Sequence, residues 1–109
     1  MIDQITHRAF FGDQERPFAL TDPMLQELEA TTGQGVGALY ASMVAMNYSV
    51  AVLPEIIRLG LIGAGTAPQE AKRLVDAYAV NRPLSEIFPV AFEVLEARWN
   101  GVQADEVAA

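Results

Sequence analysis

From Ala30 to Pro54 the chain runs for 25 residues without a formal charge. No other feature limits the fold as strongly, because such a run must lie in a bilayer, in a core, or against a partner. It is long enough for a bilayer, whose hydrocarbon layer takes about 20 apolar residues to cross. Its interior argues against that. Thr31, Thr32, Gln34, Asn47 and Ser49 interrupt it, and Gly33, Gly35 and Gly37 crowd its start. The flanking Glu27, Glu29 and Glu55 are acidic and lack the Lys/Arg asymmetry that orients a membrane helix. The run therefore reads as two soluble helices, mostly covered, and no membrane association is expected.

The remaining composition narrows the function. With 109 residues, the chain fits one domain, expected over 1–101, with a flexible tail over 102–109. A chain of this size buries roughly 65% of its unfolded surface. Since 51% of the residues are hydrophobic, an apolar surplus remains for a partner. Fourteen acidic residues against seven basic ones give a charge of −7 and argue against nucleic-acid binding, which needs clustered Lys and Arg. The absence of cysteine excludes a disulfide framework, a thiol nucleophile and a zinc ribbon. Met1 to Arg8 contain no apolar signal segment, so a cytoplasmic location is expected.

Turn and cap residues divide the chain into a hairpin and helices. Phe10-Phe11 and Phe18-Ala19-Leu20 flank Gly12-Asp13-Gln14-Glu15, which predicts a β-hairpin with a loop of about four residues. Pro17 places its strand at an edge, because proline donates no ladder hydrogen bond. Thr21 or Asp22 can cap a first helix with Pro23 in its first turn, and Gly33 stops it. Val36, Leu39, Tyr40 and Met43 have the i, i+3, i+4, i+7 spacing of a second helix, to about Met46. That helix is apolar nearly all round, which predicts that it is covered nearly all round.

A third helix is expected over about Val52 to Leu61, with Pro54 in its first turn and Gly63-Ala64-Gly65 ending it. Thr66-Ala67-Pro68-Gln69 has the form of a capping box opening a fourth helix, with Ala71, Leu74, Val75 and Tyr78 inward. A fifth is expected over about Ser85 to Trp99, with Ile87, Phe88, Ala91, Phe92, Leu95 and Trp99 inward and Pro89 in its first turn or at a bend. Ser49 and Ser85 look like caps. The fold class is thus mainly α: an N-terminal β-hairpin followed by a compact bundle of about five short helices.

No chemical motif emerges. Gly60 to Gly65 has glycines at phosphate-loop spacing, but Thr66-Ala67 follows where Lys-Ser/Thr is needed, and the loop follows a helix rather than a strand. His7 is the only histidine and reads as a half-exposed strand residue. Glu93 and Glu96 share a helix face, as a solvated acidic pair does. Ser42, Ser49 and Ser85 lie outside any nucleophile motif. No catalytic residue, cofactor or metal is expected. Phe10 and Phe11 are more informative, because adjacent strand residues point to opposite faces and only one can enter the core.

The order of the segments resembles a known family. Leu20-Thr21 precede Leu25-Gln26-Glu27-Leu28-Glu29-Ala30-Thr31-Thr32-Gly33, followed by Gly35-Val36-Gly37-Ala38-Leu39. Then come Ile56-Ile57-Arg58-Leu59-Gly60-Leu61-Ile62-Gly63-Ala64-Gly65, Ala71-Lys72-Arg73-Leu74-Val75 and Arg82-Pro83-Leu84. This pattern, over about Phe11 to Trp99, resembles the gene transfer agent family of small tail proteins, related to phage tail assembly chaperones. Asp22-Pro23 and Pro54 depart from the helix starts of that pattern.

The resemblance implies a non-enzymatic assembly factor in a bacterial host. It would bind the tape-measure protein, the major tail tube protein, or both, while a tail is built. The alternatives are a structural tail component or adaptor retained in the particle, or a generic small helical interaction domain. A homo-oligomer is also open. The residues expected to meet a partner are Phe10 or Phe11, the small face Ala38, Ala41 and Ala45, and Leu59 and Ile62, which lie off the main stripes. Trp99 reads as a lid on the core more than as an interface anchor.

Overall fold

A computed structural model of the chain describes residues 2–102. A 3-10 turn over Ile2–Ile5 leads into an antiparallel hairpin of β1 (Thr6–Phe11) and β2 (Gln14–Ala19). Five helices follow: α1 (Asp22–Thr32), α2 (Val36–Val44), α3 (Val52–Gly63), α4 (Pro68–Tyr78) and α5 (Leu84–Asn100). The expected class, a hairpin followed by five helices, is what the chain adopts. Of the tail expected over 102–109, all but Val102 lies outside the described residues.

The hairpin is tighter than its sequence suggests. Phe11 pairs with Gln14, so only Gly12 and Asp13 form the loop. Gly12 makes this possible with a φ of 74°, which a two-residue turn requires at its first position. A Cβ at Gly12 would also overlap the ring of Tyr78, which lies over the turn.

Three of the five helices have proline in the first turn, where a missing N–H costs nothing. Pro23, Pro54 and Pro68 occupy these places. The expected side-chain caps do not form. Thr21 is the N-cap of α1, but its hydroxyl makes no capping bond. The capping box at Thr66 fails because α4 begins at Pro68 behind Ala67, which leaves Thr66 outside. Ser85 lies within α5, behind the N-cap Pro83. Ser49 precedes the N-cap Ala51, and only its carbonyl serves, accepting from the Val52 N–H at 3.0 Å. Pro89 lies beyond the first turn of α5. The carbonyl of Ser85, four residues back, loses its helical donor there, and Ser85 is exposed to water.

Helix α3 is the centre of the molecule, packed by β2, α5, α1 and α4. Val52, Leu53, Ile56, Ile57, Leu59, Gly60 and Leu61 are all buried, so it is covered on nearly every side. Two glycines let neighbours come this close. A Cβ at Gly60 would stand 2.9 Å from Val94 Cγ1 and 3.3 Å from Phe18 Cβ. One at Gly63 would overlap the carbonyl oxygen of Ala19. The glycines that resembled a phosphate loop thus bring a helix onto a strand.

A single buried cluster takes in Phe11, Phe18, Leu28, Leu39, Met43, Leu74, Ile87 and Leu95, drawing on every strand and helix. The expectation that α2 is covered nearly all round is overturned. Only Leu39 and Met43 of α2 are buried, whereas Gly37, Ala38, Ala41 and Val44 are exposed. The physical reason is side-chain bulk. Burial stabilises by about 25 cal/mol per Å² of apolar area, and the alanines of α2 offer far less area than the Leu and Ile side chains of α3.

Candidate interaction surface

The uncharged run is mainly at the surface. α2 is held at its start by an acid from the preceding helix: the Val36 N–H donates to Glu29 Oε2 at 2.8 Å. This contact satisfies an orphan N–H and sets a negative group at the positive end of the helix dipole. Gly35, the N-cap, has no side chain to do so. At the other end Met46 takes a φ of 59°, a left-handed conformation unusual for a side chain of its kind.

Along one side α2 lies against α5, and five aromatic rings fill the seam. Trp99 stacks on Tyr40 with ring centroids 4.6 Å apart and planes 6° from parallel. Tyr40 continues onto Phe92 at 5.9 Å, Phe92 onto Phe88 at 5.6 Å, and Phe88 onto Tyr48 at 5.1 Å. On α5, Phe88, Phe92 and Trp99 share one face because positions four and seven apart return to the same side. The ladder is not sealed from solvent. Trp99 is 50% exposed, and Leu84 at the start of the same face is 48% exposed. Beyond the ladder, Val44 is 58% exposed and Met46 and Val50 are also open. Together these residues make an apolar surface of helix α2, its following loop and one edge of α5. Exposed large apolar residues on neighbouring elements make this side a candidate contact surface.

The predicted partner residues divide. Ala38 and Ala41 on α2 and Ala45 at its C-cap are exposed. Phe10 is 68% exposed, far along the chain on the hairpin. Phe11, its neighbour, is buried edge-on between Phe18 and Tyr78, with ring centroids 6.0 Å from each. The alternation of a strand separates the pair as anticipated, and Phe11 belongs to the core. Leu59 is corrected to a core residue with 1% exposure, because α3 is wrapped on the side that its main stripe left unassigned. Ile62 is half-buried and packs against the core. Trp99 is a correction in the other direction, a ring stacked on one face and open on the other.

Sequence reasoning missed Val44, Met46 and Val50, and it placed Tyr40, Phe88 and Phe92 inward without recognising their contact with one another. The available signal was the lack of charge from Ala30 to Pro54, which was read as a sign of burial.

The polar candidates stay apart or are paired off. His7 Nε2 lies 3.0 Å from Glu93 Oε1, which ties β1 to α5. Among the described residues no serine hydrogen-bonds to His7, and no group of three or more His, Cys, Asp or Glu is placed to hold a metal ion. A shallow cleft between α3 and α4 includes Arg58 and Lys72, but Arg58 pairs with Glu55 and Lys72 with Asp76. Hydrogen bonds from Arg16 and Arg73 hold the carboxyls of Asp13 and Glu70 below the usual carboxylate range. Arg98 has a structural role, donating to the Leu20 carbonyl at 2.8 Å and to Asp22 at 2.6 Å. No described helix is long and apolar enough to cross a membrane.

No curated protein and no solved structure matches the chain. A family model does match, over residues 4–101, and its description is phage tail tube protein, GTA-gp10. The match takes in the hairpin and all five helices, aromatic seam included, and on that extent the chain belongs to the phage tail tube protein family GTA-gp10.

Proposed function

We propose that the chain, acting as one unit over residues 1–101, is a non-enzymatic structural component of a phage-like tail. Its contacts with other tail proteins run over the seam of α2 and α5. Family membership across 4–101 carries the tail assignment. The choice of surface is supported by an exposed, uncharged helix beside a half-open aromatic ladder. Aromatic residues are enriched where binding energy concentrates, and Trp99 offers a rigid ring already fixed on one face. The test is quantitative mass spectrometry of purified tails or particles. The chain is expected at a constant ratio to the other tail proteins, and its absence from finished particles would overturn the reading.

One observation favours a second reading, the assembly factor implied by the sequence resemblance. The face of α2 and α5 is elongated and helical, which suits docking of another apolar helix. A tape-measure protein offers such helices before a tube encloses it. On this reading the chain covers the tape-measure protein in the host cytoplasm and leaves as tube subunits add. Co-expression should then raise the solubility of the tape-measure protein while purified particles lack the chain. Unchanged solubility would remove this reading.

A further inference from the structure

The hairpin has two edges, and the fold closes only one of them. Phe11 and Gln14 flank the two-residue turn, so they exchange the first ladder hydrogen bonds, and the exchange repeats at Ala9 with Arg16 and at His7 with Phe18. The alternate residues turn their backbone groups outward: Thr6, Arg8 and Phe10 on β1, and Glu15, Pro17 and Ala19 on β2. On β2 this edge is closed. Pro17 has no N–H to offer, and the Ala19 carbonyl lies against Gly63 of α3, where a Cβ would overlap it. On β1, Arg8 and Phe10 are exposed, and among the described residues no loop or helix backbone bonds to either. An unpaired edge of this kind is a template for another strand.

The surroundings of the edge select what that strand carries. A groove of about 990 Å³ opens between β1 and α5. Its charged lining is Asp3, Glu15, Glu93 and Glu96 against Arg8, with His7 bonded to Glu93. Among the described residues Asp3, Glu15 and Glu96 form no ion pair. Lysine or arginine would meet these carboxylates, whereas an acidic segment would be repelled. Residues 103–109 of the chain contain Asp105 and Glu106 and no base, so they lack the matching charge. A second copy, with its own −7, would bring the same carboxylates with it.

We infer that the open edge of β1 takes an extended, basic segment of another protein as a third strand. The site is separate from the seam of α2 and α5 and does not depend on it. Antiparallel addition gives the N–H and C=O of both Arg8 and Phe10 a partner. Side chains of the added strand alternate between two sides. On one they lie beside the Phe10 ring, which is 68% exposed and suits an apolar neighbour. On the other they face Glu93 and Glu96 of α5, which suit basic ones. The six residues of β1 span about 20 Å, so a short segment fills the edge.

The experiment uses the purified full chain and two short fluorescent peptides, one alternating lysine with valine, the other glutamate with valine. The basic peptide should bind several-fold tighter than the acidic one and weaken with added salt. It should also slow hydrogen exchange at the Arg8 and Phe10 amides several-fold. Two substitutions separate strand pairing from charge attraction. Arg8→Ser removes the positive charge and keeps the N–H, so it should tighten binding of the basic peptide. Arg8→Pro removes the same charge together with the outward N–H, so it should bind several-fold more weakly than Arg8→Ser. The basic peptide N-methylated at every amide repeats the comparison on the unaltered chain, whatever the stability of Arg8→Pro, and should lose several-fold in affinity. Equal binding of the two charged peptides, including none by either, overturns the inference. So does an N-methylated peptide that binds as well as its parent, or an Arg8→Pro chain that binds as tightly as Arg8→Ser. A dimer of the chain that Arg8→Pro disrupts, with no binding of the basic peptide, gives the edge to a second copy and overturns it as well.

Discussion

Replacing Gly63 with alanine tests the central packing contact of the fold. By local rules the change should help, since alanine favours a helix over glycine by about 1 kcal/mol. Gly63 is the last residue of α3 and its φ is not among the positive ones, so no backbone strain opposes a side chain there. The opposition is steric. The new Cβ would overlap the Ala19 carbonyl oxygen, deep inside the 3.4 Å at which ordinary contact begins. That oxygen is backbone, at the end of β2, and cannot rotate aside as a side-chain tip can.

Either α3 must move off the hairpin or the strand must bend. Overpacking costs typically about 1–3 kcal/mol, and a backbone obstacle places this case at the upper end. Less the helix gain, the net loss is about 2 kcal/mol, or roughly 10 °C in Tm for a domain of this size. Urea unfolding followed by far-UV circular dichroism measures it. Gly37→Ala supplies the contrast. Its Cβ would stand 3.8 Å from Trp99 Cη2 with nothing closer, so it should stabilise the chain by about 0.5–1 kcal/mol. A Gly63→Ala protein as stable as the wild type would refute the close approach of α3 to β2.

Other substitutions test particular placements. Leu59→Glu buries an unpaired carboxylate in α3 and should abolish cooperative unfolding in circular dichroism, whereas Phe10→Ser on the open side of the hairpin should change stability by less than about 0.5 kcal/mol. Arg98→Ala removes the donor to the Leu20 carbonyl and should cost about 1–2 kcal/mol in urea unfolding; no loss would mean that water replaces the guanidinium. Asp13 and Glu70 have carboxyls held low in the folded chain by hydrogen bonds from Arg16 and Arg73. Their contribution is therefore complete above the unfolded carboxylate pKa, about 4, and is lost as pH falls through that region and below. The urea midpoint should decline slightly between pH 5 and pH 3, and less so in Asp13→Asn with Glu70→Gln; an equal decline would assign the acid sensitivity to other carboxylates.

Much of the architecture was legible in the sequence because it is written in local chemistry. Glycine and proline divide the chain into the same elements that the structure contains, and the helical spacing of Leu74, Val75, Ile87, Ala91 and Leu95 finds residues that are buried. The split between Phe10 and Phe11 follows from strand alternation alone. The family was legible too, since the order of its segments survives in a linear text. Cap chemistry was less so. Thr66 and Ser85 have the right identities, but the helices start one or two residues away, and one residue of shift carries a side chain out of reach of its N–H.

Burial of the two apolar helices was decided only by tertiary structure. α2 and α3 are both strongly apolar, and a helix apolar nearly all round is expected to be covered nearly all round. Only one helix can occupy the centre. α3 takes that place because its Leu and Ile side chains have the area to repay burial, while Gly60 and Gly63 let Phe18, Val94 and Ala19 close on it. α2 turns Leu39 and Met43 inward and has mostly small residues on its other side, so it is left at the edge and its uncharged face meets solvent. The lack of charge was visible in the sequence from the start. That it marks a surface rather than a core depends on which helix won the centre, and that competition is between elements far apart in the chain.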